Sequence, residues 1–241
     1  MKNLILTSAA LALTAGMAMA DGHSVVRMGT EGAYAPWNFL NDAGEVDGFE
    51  RELGDELCAR AELTCEWVTN EWDSIIPNLV SGNYDTIIAG MSITAERDEI
   101  IDFTQEYTPA DPSSYLALDA ALDVEGAVIA AQTGTIQASF IADQGWTVVE
   151  FATPEETIAA VRNGEADAVL ADKSFLVGAM DGQDDLVMLE REESIGGGVG
   201  MGVRESDAEL KAAFDAAITS MKEDGSLNTL IEKWEVASTF E

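Results

Sequence analysis

The sequence predicts an α/β chain of two lobes, each built on a small wound sheet, joined by two crossing segments with a cleft between them. Three observations carry this. Strand-like and helix-like stretches alternate twice in the same order. LVSGNYDTIIAG and AVRNGEADAVLAD superpose with Gly82 on Gly164 and Asp85 on Asp167, at one glycine-to-aspartate spacing. Helical sequence is left over after residue 195, so the chain returns most simply to its first lobe.

The elements follow in order. Residues 1–20, MKNLILTSAALALTAGMAMA, combine a charged start, an apolar run and a small-residue site, which reads as an export signal cleaved after Ala20. That run is too short to span a bilayer, and nothing later supplies about 20 uninterrupted apolar residues. The mature chain is therefore expected to be soluble, in a bacterial periplasm. The first cysteine, Cys58, is far from the cleavage site, so a lipid anchor there has no acceptor. His23, the one histidine, sits three residues past the cleavage site, a poor place for catalysis.

In the first unit, VVRMGT (25–30) reads as a strand, Phe49 to about Ala61 as an amphipathic helix and TCEWVT (64–69) as a strand. A helix from about Asp73 ends at Ser81-Gly82, and YDTIIAG (84–90) returns as a strand. In the second unit the same series is AVIAAQ (127–132), Thr135 to Gln144, WTVVEF (146–151), a helix opened by Pro154 and ended at Asn163-Gly164, and ADAVLAD (166–172). Alternation of this kind implies parallel strands in both units. Pro109 and Pro112 keep TPADPSSYLAL (108–118) extended, and AELKAAFDAAITSMKEDGSLNTLIEKW scans as two helices broken near Gly225. The expected organisation is a signal at 1–20, lobe I at 21–108 plus 199–241, hinges at 109–112 and 193–198, and lobe II at 113–192.

With 45 acidic residues against 12 basic ones, the net charge of -33 excludes nucleic acid and an anionic bilayer as partners. The acids themselves read first as a solvated surface. Cys58 and Cys65, seven apart in an exported chain, are expected to form a disulfide between a helix end and the next strand. No metal or cofactor site is expected, since HExxH and clustered metal ligands are missing from the sequence, and the lack of GxSxG removes one hydrolase motif as well.

Ligands in parallel α/β sheets bind beyond the carboxyl ends of the strands. That rule nominates TEGAYAPW, AGMSITAER, QTGTIQ and LADKS, which contain Glu31, Tyr34, Ser92, Arg97, Thr135 and Asp172. Thr94 reads as an N-cap, which places Arg97 in a first turn, where a cation is electrostatically misplaced. Two readings stand: Arg97 pairs with Glu96, Asp98 or Asp102 on the surface, or it faces a bound anion. Asp172 reads as an N-cap before Lys173 or as a ligand carboxylate. Tyr34 and Trp72 read as core or as cleft aromatics, while Trp37, Trp67, Trp146 and Trp234 are assigned to packing. Glu31 is either one more solvated acid or a ligand contact.

GTEGAYAPWNFLNDAGEVDGFERELGDELCARAELTCEWV, EWDSIIPNLVSGNYDTIIAGMSITAERDEIIDFT and ELKAAFDAAITSMKEDGSLNTLIEKW resemble the polar amino-acid-binding proteins of bacterial ABC importers, the lysine/arginine/ornithine, histidine and opine binders especially. The resemblance covers the whole mature chain. It implies the two-lobed periplasmic-binding-protein fold with Rossmann-like α/β lobes. It also implies a monomer that captures a polar amino acid of cationic type by closure of the lobes and hands it to an inner-membrane permease. Carried over by position, it gives Arg97 the ligand α-carboxylate, aided by Ser92, Thr135 and Ile136. Asp172 takes the α-ammonium with the Gly90 carbonyl, Tyr34 and Trp72 sandwich the side chain, and Glu31 meets the distal cation. Ala89, Gly90, Ile136 and Glu31 depart from residues usual in the family, which leaves glutamine or an opine as alternative ligands. The rival function is a periplasmic enzyme of cyclohexadienyl dehydratase type, with Glu31 or Asp172 as acid or base.

Overall fold

The structure, a computed structural model, describes residues 25–241. The export signal, its cleavage site after Ala20 and His23 lie outside the described residues. The chain opens with β1 (Val26–Thr30) and three short strands, β2 (Ala33–Tyr34), β3 (Asn38–Leu40) and β4 (Val46–Asp47). Then come α1 (Phe49–Arg60), β5 (Cys65–Thr69), a single turn at Trp72–Ser74 that leads into α2 (Ile75–Val80), β6 (Thr86–Ile87), α3 (Ala95–Asp98) and β7 (Asp102–Phe103). A second series runs β8 (Ser113–Ala117), β9 (Val128–Gln132), α4 (Ile136–Asp143), β10 (Thr147–Phe151), α5 (Pro154–Asn163), β11 (Ala168–Asp172), α6 (Lys173–Met180) and β12 (Val187–Glu193). The chain ends with β13 (Gly202–Val203), α7 (Ala208–Asp224) and α8 (Ser226–Trp234).

Two five-stranded sheets share one plan, β5-β1-β6-β13-β7 and β10-β9-β11-β8-β12. In each, the first three strands are parallel, as the alternation predicts. The other two are not. β13 runs antiparallel to β6 and β7, and β8 runs antiparallel to β11 and β12. These are the strands reached through the crossing segments: β8 enters the second sheet and β13 returns to the first. Val199 ties the two segments together by bridging both Ser92 and Thr108.

The repeated glycine-aspartate spacing has a physical basis. Asp85 accepts from the Arg27 amide at 3.0 Å and donates its own amide to the Arg27 carbonyl at 2.8 Å. Asp167 does the same with Val128, at 2.8 and 2.7 Å. Each aspartate thus fixes the register at the start of the central parallel strand. Gly82 and Gly164 precede them at φ 79° and 75°, left-handed values that end a helix without Cβ strain. Pro154 and a Thr153–Glu156 capping box start α5.

Both sheets are buried on both faces, because alternate side chains of a central strand point to opposite sides. On one side of the first sheet Val26 and Met28 pack against Leu53, Phe214, Ile218 and Ile231 of α1, α7 and α8. On its other side Ile87 meets Ile75, Leu79 and Tyr84. In the second sheet Ile129 and Ala131 face Ile141, while Ala130 faces Ile158 and Val161. Among the described residues, no helix is long and apolar enough to cross a membrane.

Cys58 and Cys65 are bonded. They join the end of α1 to the start of β5, at the amino ends of the parallel strands. Closing so short a loop contributes on the order of 2–3 kcal/mol through the unfolded state. Reduction is therefore expected to lower the unfolding free energy by that amount, and the urea midpoint with it, while leaving ligand affinity unchanged, because ligands of parallel α/β sheets meet the opposite strand ends. Urea melts and titrations with and without reductant check both halves of this.

Candidate functional site

The carboxyl ends of the parallel strands of both sheets converge on one cavity, at the place where parallel α/β sheets bind their ligands. Glu31 follows β1, Tyr34 lies in β2, Trp72 follows β5, and Gly90, Ser92 and Arg97 follow β6. From the second sheet come Thr135 and Ile136 at the start of α4, and Asp172 at the end of β11. All nine expected residues line the cavity, together with Ala89, Gln132 and Gln137, which lie in the nominated segments but were given no ligand role.

Arg97 is where the two sequence readings diverge, and the structure favours burial. Thr94 caps α3, its hydroxyl accepting from the Arg97 amide at 3.2 Å. The side chain turns inward and is only 9 % exposed. Its Nη1 donates to the Ser92 carbonyl at 2.9 Å, and its guanidinium lies 5.3 Å over the Trp72 ring. Among the described residues no carboxylate forms an ion pair with it, so the surface pairing with Glu96, Asp98 or Asp102 does not occur. Desolvation pulls the guanidinium down to about 10, against the opposing fields of Asp172 and Glu96. A buried cation with one carbonyl partner retains donors for an anion.

Asp172 occupies the N-cap position of α6, yet its side chain caps nothing. Its oxygens accept instead from the Tyr34 hydroxyl at 3.0 Å and from Gln137 Nε2 at 2.7 Å. Burial, then the charge of Asp111, push its carboxyl up to about 7, partly offset by Tyr34, Arg97 and Gln137. The Tyr34 ring stacks on Phe175 at 4.4 Å and 8°, so one of its two faces is already covered by protein. Trp72 donates to the Gly134 carbonyl at 3.3 Å, and Trp37 Nε1 to Ser174 Oγ at 2.8 Å. These contacts link elements of the two sheets around the cavity, a closed arrangement. Trp37 itself is buried in the core, as assigned.

Glu31 is not a solvated acid. It is half-buried and accepts from Gln132 Nε2 at 2.5 Å. Desolvation raises its carboxyl to about 7; the Gln132 hydrogen bond opposes this, and Glu71 and Glu50 add to it.

Beneath the cavity lies Glu50, 0 % exposed, a residue the sequence reading gave no role. Its carboxylate accepts from the Gly90 amide at 2.6 Å, from Asn38 Nδ2 at 2.7 Å and from the Tyr107 hydroxyl. Asn38 in turn accepts from the Gly32 amide at 2.7 Å. One buried acid thereby holds the two backbone turns that carry Glu31 and Ser92. Burial raises its own carboxyl as well.

Comparison with known proteins agrees with this geometry. Residues 26–237 match the family described as bacterial extracellular solute-binding proteins, family 3. The octopine-binding periplasmic protein of Rhizobium meliloti is 31% identical, covering 94% of this chain and 95% of its own. The lysine/arginine/ornithine-binding periplasmic protein of Escherichia coli is 30% identical, covering 92% and 91%. Among solved structures, a periplasmic His/Glu/Gln/Arg/opine family-binding protein from Silicibacter pomeroyi in complex with lysine is 69% identical over 89% of this chain and 100% of its own, with a TM-score of 0.87. The two sheets with a shared cavity, the disulfide and the match along nearly all the described residues lead to one conclusion: the chain belongs to the family 3 extracellular solute-binding proteins.

Proposed function

We propose that this protein captures a cationic amino acid, of the lysine and arginine class, in the periplasm and delivers it to an ABC importer. In this reading residues 1–20 direct export and are removed after Ala20. Lobe I (21–108 and 199–241) and lobe II (113–192) close by bending at 109–112 and 193–198, the protein acts as a monomer, and no chemistry is performed on the ligand. The observation that carries it is one cavity faced by Arg97 from the first sheet and Asp172 from the second, with Glu31 on the same wall.

A zwitterion needs a planar two-pronged donor for its carboxylate and an acceptor for its ammonium, each desolvated and paired. Arg97 supplies the first, with Ser92, Thr135 and Ile136 beside it; Asp172 and the Gly90 carbonyl supply the second. Tyr34 and Trp72 contact the aliphatic stem, and Glu31 receives the distal cation. Because the two charged anchors come from different sheets, ligand favours the closed state over the open one. The 69% identical lysine complex and the lysine/arginine/ornithine-binding relative support the cationic class.

A thermal-shift panel of lysine, arginine, ornithine, histidine, glutamine, octopine and leucine tests the proposal. A cationic amino acid at 100 times its dissociation constant is expected to stabilise the protein by about 2.7 kcal/mol. Shifts as large with leucine as with lysine refute the cationic class.

A further inference from the structure

We infer that Gln132 is the residue that makes Glu31 a selective receptor for a distal cation, holding its carboxylate in place and rejecting an uncharged amide. This deepens the proposed function and rests on its assignment of Glu31 to the ligand's distal end.

Gln132 is the last residue of β9, 7 % exposed, at the end of an otherwise apolar run. Its Nε2 makes two hydrogen bonds, to Glu31 Oε1 at 2.5 Å and to the Ala152 carbonyl at 3.1 Å. Ala152 is a backbone acceptor and cannot donate, so the amide cannot flip without leaving that carbonyl unpaired. Both N–H groups are thereby committed. The remaining atom, Oε1, can only accept. Gln132 and Glu31 line the same cavity.

With Glu31 ionised, the wall they form offers acceptors and no donors. An ammonium or guanidinium brings only donors and a positive charge, and every group can pair. A terminal carboxamide brings a carbonyl as well, which would find no donor among Gln132 and Glu31. An unpaired buried acceptor corresponds to roughly a tenfold to hundredfold loss of affinity. Selection between a cation and its neutral isostere is thus built into the orientation of one amide.

Gln132 acts on the cation mainly through Glu31, as a positioning residue. The charged groups around Glu31 are Glu71, Glu50 and the cavity's own Arg97 and Asp172. The first two disfavour its ionised form, and the Gln132 hydrogen bond is the contact that favours it. Without that bond the acid should hold its proton to higher pH.

Calorimetric titration of lysine and glutamine into the wild type, Gln132→Leu and Glu31→Gln, across about pH 5–9, separates the possibilities. Gln132→Leu is expected to weaken lysine binding at neutral pH by roughly tenfold or more. It should leave glutamine binding unchanged or stronger, because a protonated Glu31 offers the amide carbonyl a donor, and move the acid limb of lysine binding to higher pH. Should the leucine variant fail to fold, Gln132→Asn, which keeps the amide but withdraws it from Glu31, is expected to show the same shift. An unchanged lysine-to-glutamine ratio together with an unchanged pH midpoint overturns the inference. If instead Glu31→Gln keeps the full lysine preference, the assignment of Glu31 itself has failed, independently of Gln132.

Discussion

Arg97→Ala is expected to abolish amino-acid capture while sparing the fold. Removing one partner of a desolvated, hydrogen-bonded charge pair costs about 2–5 kcal/mol, which is roughly 30-fold to several thousandfold in affinity. The loss should be similar for every amino acid in the panel, because all share the α-carboxylate. Stability should respond in the opposite sense. This guanidinium is buried with the Ser92 carbonyl as its hydrogen-bond partner and with no acidic side chain paired to it among the described residues. Deleting a poorly compensated buried cation leaves stability unchanged or raises it. Arg97→Lys should recover only part of the affinity, since a point charge cannot make the forked contact. Titration calorimetry and a ligand-free thermal melt read the two effects separately. Lysine affinity within threefold of wild type in Arg97→Ala would sink the role given to this residue.

Lysine affinity is expected to fall steeply as the medium is acidified below neutrality. Glu31 and Asp172 are both pushed up to about 7, chiefly by burial. A bound cation favours their ionised forms and lowers both values, so binding expels protons where the free acids are protonated. Affinity should be flat above that range and drop by up to about tenfold per pH unit for each group below it. The contribution of these acids to folding stability runs the other way. Both acids have folded values above the unfolded range near 4, so the folded state binds more protons between about 4 and 7. Their contribution is therefore greatest below that window and declines as pH rises through it. Asp172→Asn should flatten its share of that slope and also weaken binding, because the ammonium loses its anionic acceptor. Proton release measured by titration in buffers of different ionisation enthalpy checks the first claim. A pH-independent dissociation constant between about pH 5 and 8 contradicts it.

The parts of the site legible in the sequence are those whose chemistry is local. Thr94 caps α3, and Thr135 caps α4, each by a hydroxyl and an amide three residues on. Strand, turn and helix succeed one another within a few residues, so the loops that meet the cavity could be nominated in advance. What escaped depends on partners far along the chain. β13 contains two residues, too few for any period, and its place between β6 and β7 is set by pairing across about a hundred residues. The small sheet of β2, β3 and β4 is equally short. Gln132 and Gln137 carry neither charge nor aromatic ring, and their importance lies in what they touch, Glu31 and Asp172. Glu50 lies among many acids in sequence and differs from them only in being fully buried.

That buried acid separates two tasks within one pocket. The turns following β1 and β6 are gripped from below by a group that no solute reaches, so the floor is rigid whatever lines the walls. Wall residues such as Glu31 and Gln132 can then be exchanged without reshaping the floor. A scaffold arranged in this way can change its preferred nutrient through one or two substitutions while the machinery common to all amino acids stays intact.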